Sequence, residues 1–347
     1  MAGFNLQLKR PGKIRSITAL DIGSHSIKMI EISVGAERPS LVSFGIKKIQ
    51  GLSSGSVADA VRTLSEDLKI AGRDLNISLA GSSIVARVIS MPDMGDEDLK
   101  NAIRFETEKF IPFDINECTL DFHIQGKSAR EKNNLDILLA AAKKDYVLAK
   151  IKIVEDAGFS VNVVDVDSFA LTNAFLKNFT SIEPAKTIAL INVGAVYTNL
   201  VILRGGVISF VRDLAIGVND FCQTISKKCG VNLELSDWSK GVSAEKSAEV
   251  ALSAKSALAG LVDEIKLSFG YHENQSGRGI DEIHISGGGA GFIGLEEAFN
   301  DTFGSKPARW NPFQFLNIDP SIVNADEIAG TNGSFAVCAG LALRGGL

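Results

Sequence analysis

Asp21, Gly23, Ser24, His25, Ser26 and Lys28 crowd into one short polar stretch inside the apolar segment Ile17–Val34. Together they suit a phosphate group. Gly23 lets the backbone approach a ligand with no Cβ in the way, and the amides and hydroxyls of Ser24 and Ser26 can face an anion. Lys28 brings a positive charge to the same place. Asp21 suits a hydrated Mg²⁺, which keeps most of its waters and takes one or two carboxylates. The pattern is short, and a hairpin that meets no nucleotide can carry it equally well. A second candidate is Gly287-Gly288-Gly289-Ala290. It follows the strand-like Glu282–Ser286 and precedes the helix-like Gly294–Phe303, an order in which backbone can pass close to a ligand and a helix N-terminus adds positive potential. Glycines at a strand end can also serve only a turn.

The elements that must hold these residues are legible in the apolar pattern. Ile17–Leu20 reads as a buried strand, the polar residues after it as a turn, and Ile27–Val34 as the returning strand. Thr187–Val207 repeats this arrangement: an apolar strand, then Asn192, Gly194, a small turn with Val196 and Tyr197, Thr198, and a second apolar strand. Aligned on the glycine, Asp21-Ile22-Gly23 faces Asn192-Val193-Gly194. An internal repeat is first a statement about architecture. Two similar α/β halves, each offering a phosphate-facing hairpin, can close on one nucleotide.

Composition agrees. A chain of 347 residues suits two domains with proper cores, and 45% hydrophobic with 22% charged residues is the balance of a globular protein. A net charge of −5 supplies no basic field for nucleic acid. The four cysteines form no CxxC pair and the four histidines show no metal-ligand spacing, as expected of incidental thiols in a reducing compartment. The longest apolar run, Phe335–Leu343, is far short of a membrane span. Met1–Arg15 is basic around Pro11-Gly12 without the apolar stretch of a signal peptide, so the expected location is cytoplasmic.

In chain order, Ser40–Lys48 is expected as a third strand, Ser56–Ala71 as a helix capped by Ser56, and Asn76–Ala80 as a strand. A β-α-β-β-α unit follows: strand Ser83–Ser90, a helix from Gly95 to Lys109 stopped at Ile111-Pro112, strands Thr119–Gln125 and Leu135–Ala142, and helix Lys144–Asp156. It reads as a small inserted domain, and a partner-binding groove on it is one possibility beside ordinary core. Val161–Val166 is a strand and Phe169–Phe179 a helix joining the halves. Phe210–Leu214 is a strand, Asp220–Gly230 a helix, Ala244–Phe269 a pair of helices, and Gly333–Arg344 a small-residue helix. Trp238 is expected as a packing anchor.

In this order, the two phosphate hairpins, connecting helix, GGGA turn and small-residue connector resemble the ATPase fold shared by actin, heat-shock chaperones and sugar kinases. The inserted unit resembles the extra subdomain of the FtsA branch, and within it the chain is most similar to the PilM family of type IV pilus assembly. The segments that carry this are Ala19–Ile32, Met91–Phe113, Asp165–Phe175, Ile191–Gly206 and Tyr271–Ala290. The resemblance implies an α/β, actin-like fold with two duplicated halves around a nucleotide cleft. Its expected divisions are residues 14–82, an insert at 83–157, a return at 158–182, and a second half at 183–347 with a helical part at about 219–280.

The resemblance further implies ATP or ADP with Mg²⁺. The first loop would be Asp21, Gly23, Ser24, His25, Ser26 and Lys28, with the metal near Asp21 through water. Asn192, Gly194, Val196, Tyr197, Thr198 and Gly217 would make the second, and Gly287, Gly288, Gly289 and Ala290 would pass the ribose and adenine. Asp263 and Lys266 fall where such folds often contact adenosine, and a solvated helix face explains them equally well. The implied partner is the short cytoplasmic N-terminal tail of a PilN-like inner-membrane protein, with self-association left open. Two departures stand out. Asn192 replaces the usual Asp, and a neutral amide cannot accept a proton, which argues against turnover. Val218 stands where relatives tend to have a second glycine. An FtsA-like filament, or a small-molecule kinase using Asp165 or Asp167, is the alternative.

Overall fold

A computed structural model describes residues 15–35, 38–51, 53–128, 131–231, 233, 247–321 and 325–344. The basic leader before Arg15, Trp238 and the first residues of the expected helix pair lie outside the described residues.

The first half opens with β1 (Arg15–Ile22), β2 (Ser26–Val34) and β3 (Ser40–Lys48), followed by α1 (Ser54–Asp67) and β4 (Asp74–Leu79). Helix α1 begins earlier than its periodicity suggests because Ser53, not Ser56, is the cap: its Oγ accepts the Ser56 amide at 3.1 Å. The insert comprises β5 (Ile84–Pro92), α2 (Asp96–Glu108), β6 (Cys118–Lys127) and β7 (Asn134–Lys143). Then come α3 (Lys144–Asp156), β8 (Ser160–Val166) and the connecting helix α4 (Asp167–Asn178). The second half holds β9 (Thr187–Val193), β10 (Thr198–Arg204), β11 (Val207–Leu214), α5 (Val218–Cys229) and α6 (Ser247–Ser276). It ends with β12 (Glu282–Ser286), α7 (Leu295–Phe303), the short β13 (Ala308–Arg309), α8 (Ala325–Thr331) and α9 (Ala336–Ala342).

The duplication is visible in the strand order. Among the described residues, one sheet runs β3-β2-β1-β4-β8 and the other β11-β10-β9-β12-β13. In both, the first three strands are antiparallel and the next two join in parallel. β1 and β9 are central and buried on both faces, which is why their apolar runs are nearly unbroken. The insert forms a third sheet, β5-β7-β6, whose outer strands alternate in burial because one face alone is covered.

Helix α3 packs on both units: Tyr146 and Val147 lie with Ile84 of β5 and Ala140 and Ala142 of β7, while Ile153, Val154, Ala157 and Phe159 share a core with Val57, Val61 and Leu64 of α1 and Leu75 and Ile77 of β4. The expected pair of helices up to Phe269 is, from Ser247, a single helix, α6. Its stripe of Val250, Ala254, Leu258, Leu261, Val262, Ile265 and Phe269 is buried without interruption, so no position favours a break.

The halves meet where α4 and α9 cross. Ala170, Leu171, Ala174 and Phe175 pack with the fully buried α9 in a core that also takes residues from β1, β2, β9 and β10. A Cβ on Gly340 would sit 1.7 Å from the Ala170 carbonyl oxygen, a position no side chain can occupy. Gly340→Ala should therefore lower unfolding stability by about 3 kcal/mol or more, the upper range for overpacking. Urea denaturation measures this, and an unchanged midpoint would contradict the close crossing.

Candidate functional site

A cleft of about 850 Å³ opens between the halves, at the ends of both hairpins. The structure brings together Asp21, Gly23, Ser24, His25, Ser26 and Lys28 from the β1–β2 turn with Asn192, Gly194, Val196 and Tyr197 from the β9–β10 turn. Gly287, Gly288 and Gly289 complete the lining expected from sequence. Thr198, Gly217 and Ala290 stand behind it. The Thr198 hydroxyl donates to the Ile216 carbonyl at 2.8 Å, and a Cβ on Gly217 would lie 2.6 Å from the Ala195 carbonyl. These positions hold the second loop from below. Asp263 and Lys266 are exposed on α6 and do not line the cleft. The buried stripe of that helix includes Leu261, Val262 and Ile265, which turns 263 and 266 outward.

The three glycines do different work. Gly287 has φ +92° and would place a Cβ 2.4 Å from the Val193 carbonyl oxygen. On Gly289 a Cβ would meet Val193 Cγ1 at 2.5 Å and Val218 Cγ2 at 2.6 Å. Both are required by the fold, and the second contact shows Val218 as packing. Gly288 is exposed at the cleft, and its Cβ would meet only Ser334 Oγ at 3.9 Å. There the fold does not require glycine, and the bare backbone lies open to the cleft.

The charged groups are arranged in layers. Lys28 Nζ binds Asp21 Oδ2 at 2.9 Å across the hairpin. Burial pulls the Lys28 ammonium down, but the Asp21 carboxylate outweighs it and leaves the net shift upward. Burial, helped by Lys48 and Lys28, lowers the His25 pKa, so its imidazole is neutral near pH 7. Three groups in the cleft were not anticipated there. Tyr146 and Lys150 enter from α3, and Asp167, anticipated only as a kinase-type base, enters from the start of α4. Tyr146, Lys150 and Ile153 share one face of α3, about a quarter-turn round the helix from Val147, but local spacing does not set what that face meets. Burial raises the Tyr146 phenol to about 12, and its hydroxyl donates to the Ala80 carbonyl at 3.0 Å.

These residues fit a nucleotide. The volume lies within the ~300–1,000 Å³ of ligand cavities. Lys150 Nζ reaches the Ile22 carbonyl at 3.3 Å and makes no ion pair among the described residues, so an ammonium with three donors has capacity to spare. For Mg²⁺ the hairpin offers the single carboxylate Asp21, and no cluster of three metal-ligating side chains occurs among the described residues. A metal here would be held mainly by water and phosphate oxygens.

Residues 19–346 match the family described as type IV pilus assembly protein PilM. The chain belongs to the PilM family. A solved PilM-PilN type IV pilus biogenesis complex is similar at 25% identity and TM-score 0.83, covering 95% of this chain and 98% of that one. The ethanolamine utilization protein EutJ from Carboxydothermus hydrogenoformans is 12% identical with TM-score 0.56, covering 97% and 92%, and shares the fold. That fold is the actin-like ATPase fold.

The Asn192 of this PilM-family chain is part of a directed hydrogen-bond chain. Asn192 Nδ2 donates to Asn199 Oδ1 at 2.9 Å, and Asn199 Nδ2 donates to Asp213 Oδ1 at 2.8 Å. Asp213 is then bound from the first half, by the Gly81 amide at 2.9 Å and Ser168 Oγ at 3.4 Å. A carboxylate only accepts, so Asn199 must turn its NH₂ to Asp213 and its oxygen to residue 192, which must donate. An Asp at 192 cannot. The registers make the exchange plain: Asp21 pairs with Lys28 across the first hairpin, and Asn192 pairs with Asn199 across the second. An ion pair in one half has become a neutral amide pair in the other.

A second groove of about 460 Å³ lies on the far side of β4 and β8. Its walls are Thr119, Asp121, Phe122 and His123 of β6, Leu138, Ala140 and Ala142 of β7, Val164–Val166 of β8, and Phe169 of α4. β6 and β8 are each the last strand of a sheet among the described residues, so two unpaired strand edges border it. Asp165, one of the two carboxylates a kinase was expected to use, lies here and binds Arg344 Nε at 2.7 Å.

Asn192→Asp should lose about 1–3 kcal/mol of stability, the cost of a buried polar group left without its partner. The loss should be larger at pH 8 than at pH 5, because two carboxylates then face one amide. Asn192→Asp/Asn199→Lys should recover most of it; thermal melts at both pH values decide, and an unaffected single variant would contradict the relay. Asp167 gives a separate test. Burial, reinforced by Asp21, raises its carboxyl to about 7 against the Ser78 hydroxyl that donates to it at 2.6 Å. The native state then holds this proton more tightly than the unfolded chain, so stability falls as pH rises from ~4 to ~7. Asp167→Asn should remove that decline and be more stable than wild type at pH 8, by less at pH 5.

Proposed function

We propose that this PilM-family protein is a nucleotide-holding adaptor of type IV pilus assembly. ATP or ADP with Mg²⁺ occupies the cleft between the halves, and the cytoplasmic N-terminal tail of a PilN-like inner-membrane protein lies in the second groove. The observation that carries the partner reading is the groove itself: mostly apolar, and bordered by two free strand edges. An extended peptide can add to such an edge, with main-chain bonds for affinity and alternate side chains entering the groove. The similarity over nearly the whole chain to a PilM solved together with PilN supports the same partnership here. No helix among the described residues is long and apolar enough to cross a membrane, so the adaptor would reach the inner face of the membrane through that partner.

For the nucleotide, the support is the convergence of both hairpin turns, Gly288 and Lys150 on one cleft. The cleft's residues would hold the phosphates by backbone amides, by Ser24 and Ser26, and by lysine. Bound nucleotide would supply negative charge that spans both halves. At residue 192 the amide donates into the relay and cannot take a proton from water, so slow or absent hydrolysis is expected.

One experiment tests both parts. The protein is incubated with Mg·ATP, washed, captured on an immobilised peptide of the PilN-like tail from the same genome, and its nucleotide identified by chromatography. Capture with intact ATP is the expected result. ADP would show that the site hydrolyses despite Asn192, an empty captured protein would overturn the nucleotide reading, and failure of capture would overturn the partner reading. Val164→Asp, which places a charge at the exposed edge of the groove, should abolish capture while nucleotide is retained.

A further inference from the structure

The cleft and the groove share a wall one residue thick. Leu79 faces the groove and its neighbour Ala80 the cleft; Val166 and Asp167 divide in the same way, and so do Val147 and Tyr146. The three segments are stitched together by the bonds from Tyr146 to the Ala80 carbonyl and from Ser78 to Asp167. Of these segments, α3 alone brings a positive charge into the cleft. Lys150 stands one turn beyond Tyr146, its ammonium 5.8 Å from the centre of that ring and 3.3 Å from the carbonyl of Ile22, the residue between Asp21 and Gly23. Lys28 is already committed to Asp21, whereas Lys150 makes no ion pair among the described residues and feels the carboxylates of Asp167 and Asp21 only at longer range.

We propose that Lys150 binds the terminal phosphate of the nucleotide and that α3 thereby sets the affinity of the groove for the partner's tail. The inference rests on the assignment of nucleotide to the cleft and tail to the groove. A ligand shifts a conformational equilibrium only through contacts that differ between the two states. Between a triphosphate and a diphosphate, the contact that differs at α3 is the one to Lys150. The C-terminal part of the helix is anchored by Ile153 and Val154 in the core of the first half. A pull on Lys150 is therefore felt by the first turns, where Val147 forms part of the groove. By reciprocity, a bound tail changes nucleotide affinity by the same factor.

The test is a linkage cycle on the full chain. A fluorescently labelled peptide of the PilN-like tail from the same genome is titrated by anisotropy into protein with no nucleotide, with Mg·ADP and with Mg·AMPPNP. Wild type should show tail affinities that differ about fivefold or more between the two nucleotides, the lower range of ordinary coupling. Lys150→Met should bind the tail normally without nucleotide, lose preference for AMPPNP over ADP, and show one tail affinity in both. Lys150→Arg, which keeps the charge, should restore part of the difference. Equal tail affinities in wild type, or an unchanged nucleotide preference in Lys150→Met, would overturn the inference while leaving both assignments intact. Failure of wild type to bind either ligand would instead remove the assignment beneath it, and the inference with it.

Discussion

The crossing of α4 and α9 is the constraint on which the rest of the structure depends. Gly340 allows the α9 backbone to lie against the Ala170 carbonyl, and that distance sets how close the two central sheets come. α9 is fixed at both ends. Near its start the Cys338 thiol lies 3.4 Å from the Ala19 carbonyl and 3.5 Å from that of Lys28, directly behind the β1–β2 hairpin. At its end the buried Asn76 amide donates to the carbonyls of Leu341 and Arg344, each at 3.0 Å, satisfying groups that a helix C-terminus leaves open. With α9 so placed, the ends of β1 and β9 open into one cavity rather than two.

Symmetry of backbone does not carry over to the chemistry. The two halves repeat strand order and register down to a residue pair that flanks each turn. The first half keeps charge at that pair, Asp21 with Lys28, and faces the cleft with an ion pair. Asn192 and Asn199, at the same positions of the second half, pass a hydrogen-bond direction inward to Asp213 and across to Gly81 and Ser168. Asn192 is therefore a donor in a bridge between halves. Asp213 has its carboxyl raised by burial, against the bonds it accepts, so the bridge also contains a group sensitive to any added negative charge.

Much of this was legible in the sequence because it follows from periodicity. The hairpins, the strand at Glu282–Ser286 and helix α3 stand where apolar alternation and turn residues put them. The positions facing the cleft were legible for the two loops and the glycine run, since short-range spacing fixes them. What escaped was long-range. Whether Asp263 and Lys266 face a ligand depends on which stripe of α6 meets the core, and an unbroken helix of that length offers several. Tyr146 and Lys150 belong to a helix that follows the insert in sequence but also packs on α1 in space, a contact no local pattern encodes. Gly287 and Gly289 showed glycine without its reason, which lies in Val193 and Val218.

The position of the insert explains why two cavities adjoin. It leaves the first sheet at the carboxyl end of β4, beside Ala80 and Gly81, and β4 is parallel to β1 and β8. Carboxyl ends of parallel strands are where such sheets receive ligands. An element inserted at that rim has its root in the cleft between the halves, and any groove it forms against β8 has the cleft on its other side. The chain then returns through α3, which must pass over the same rim to reach β8. Coupling between the cavities thus needs no distant network: topology puts Tyr146 and Val147, successive residues of one helix turn, on opposite sides of one wall.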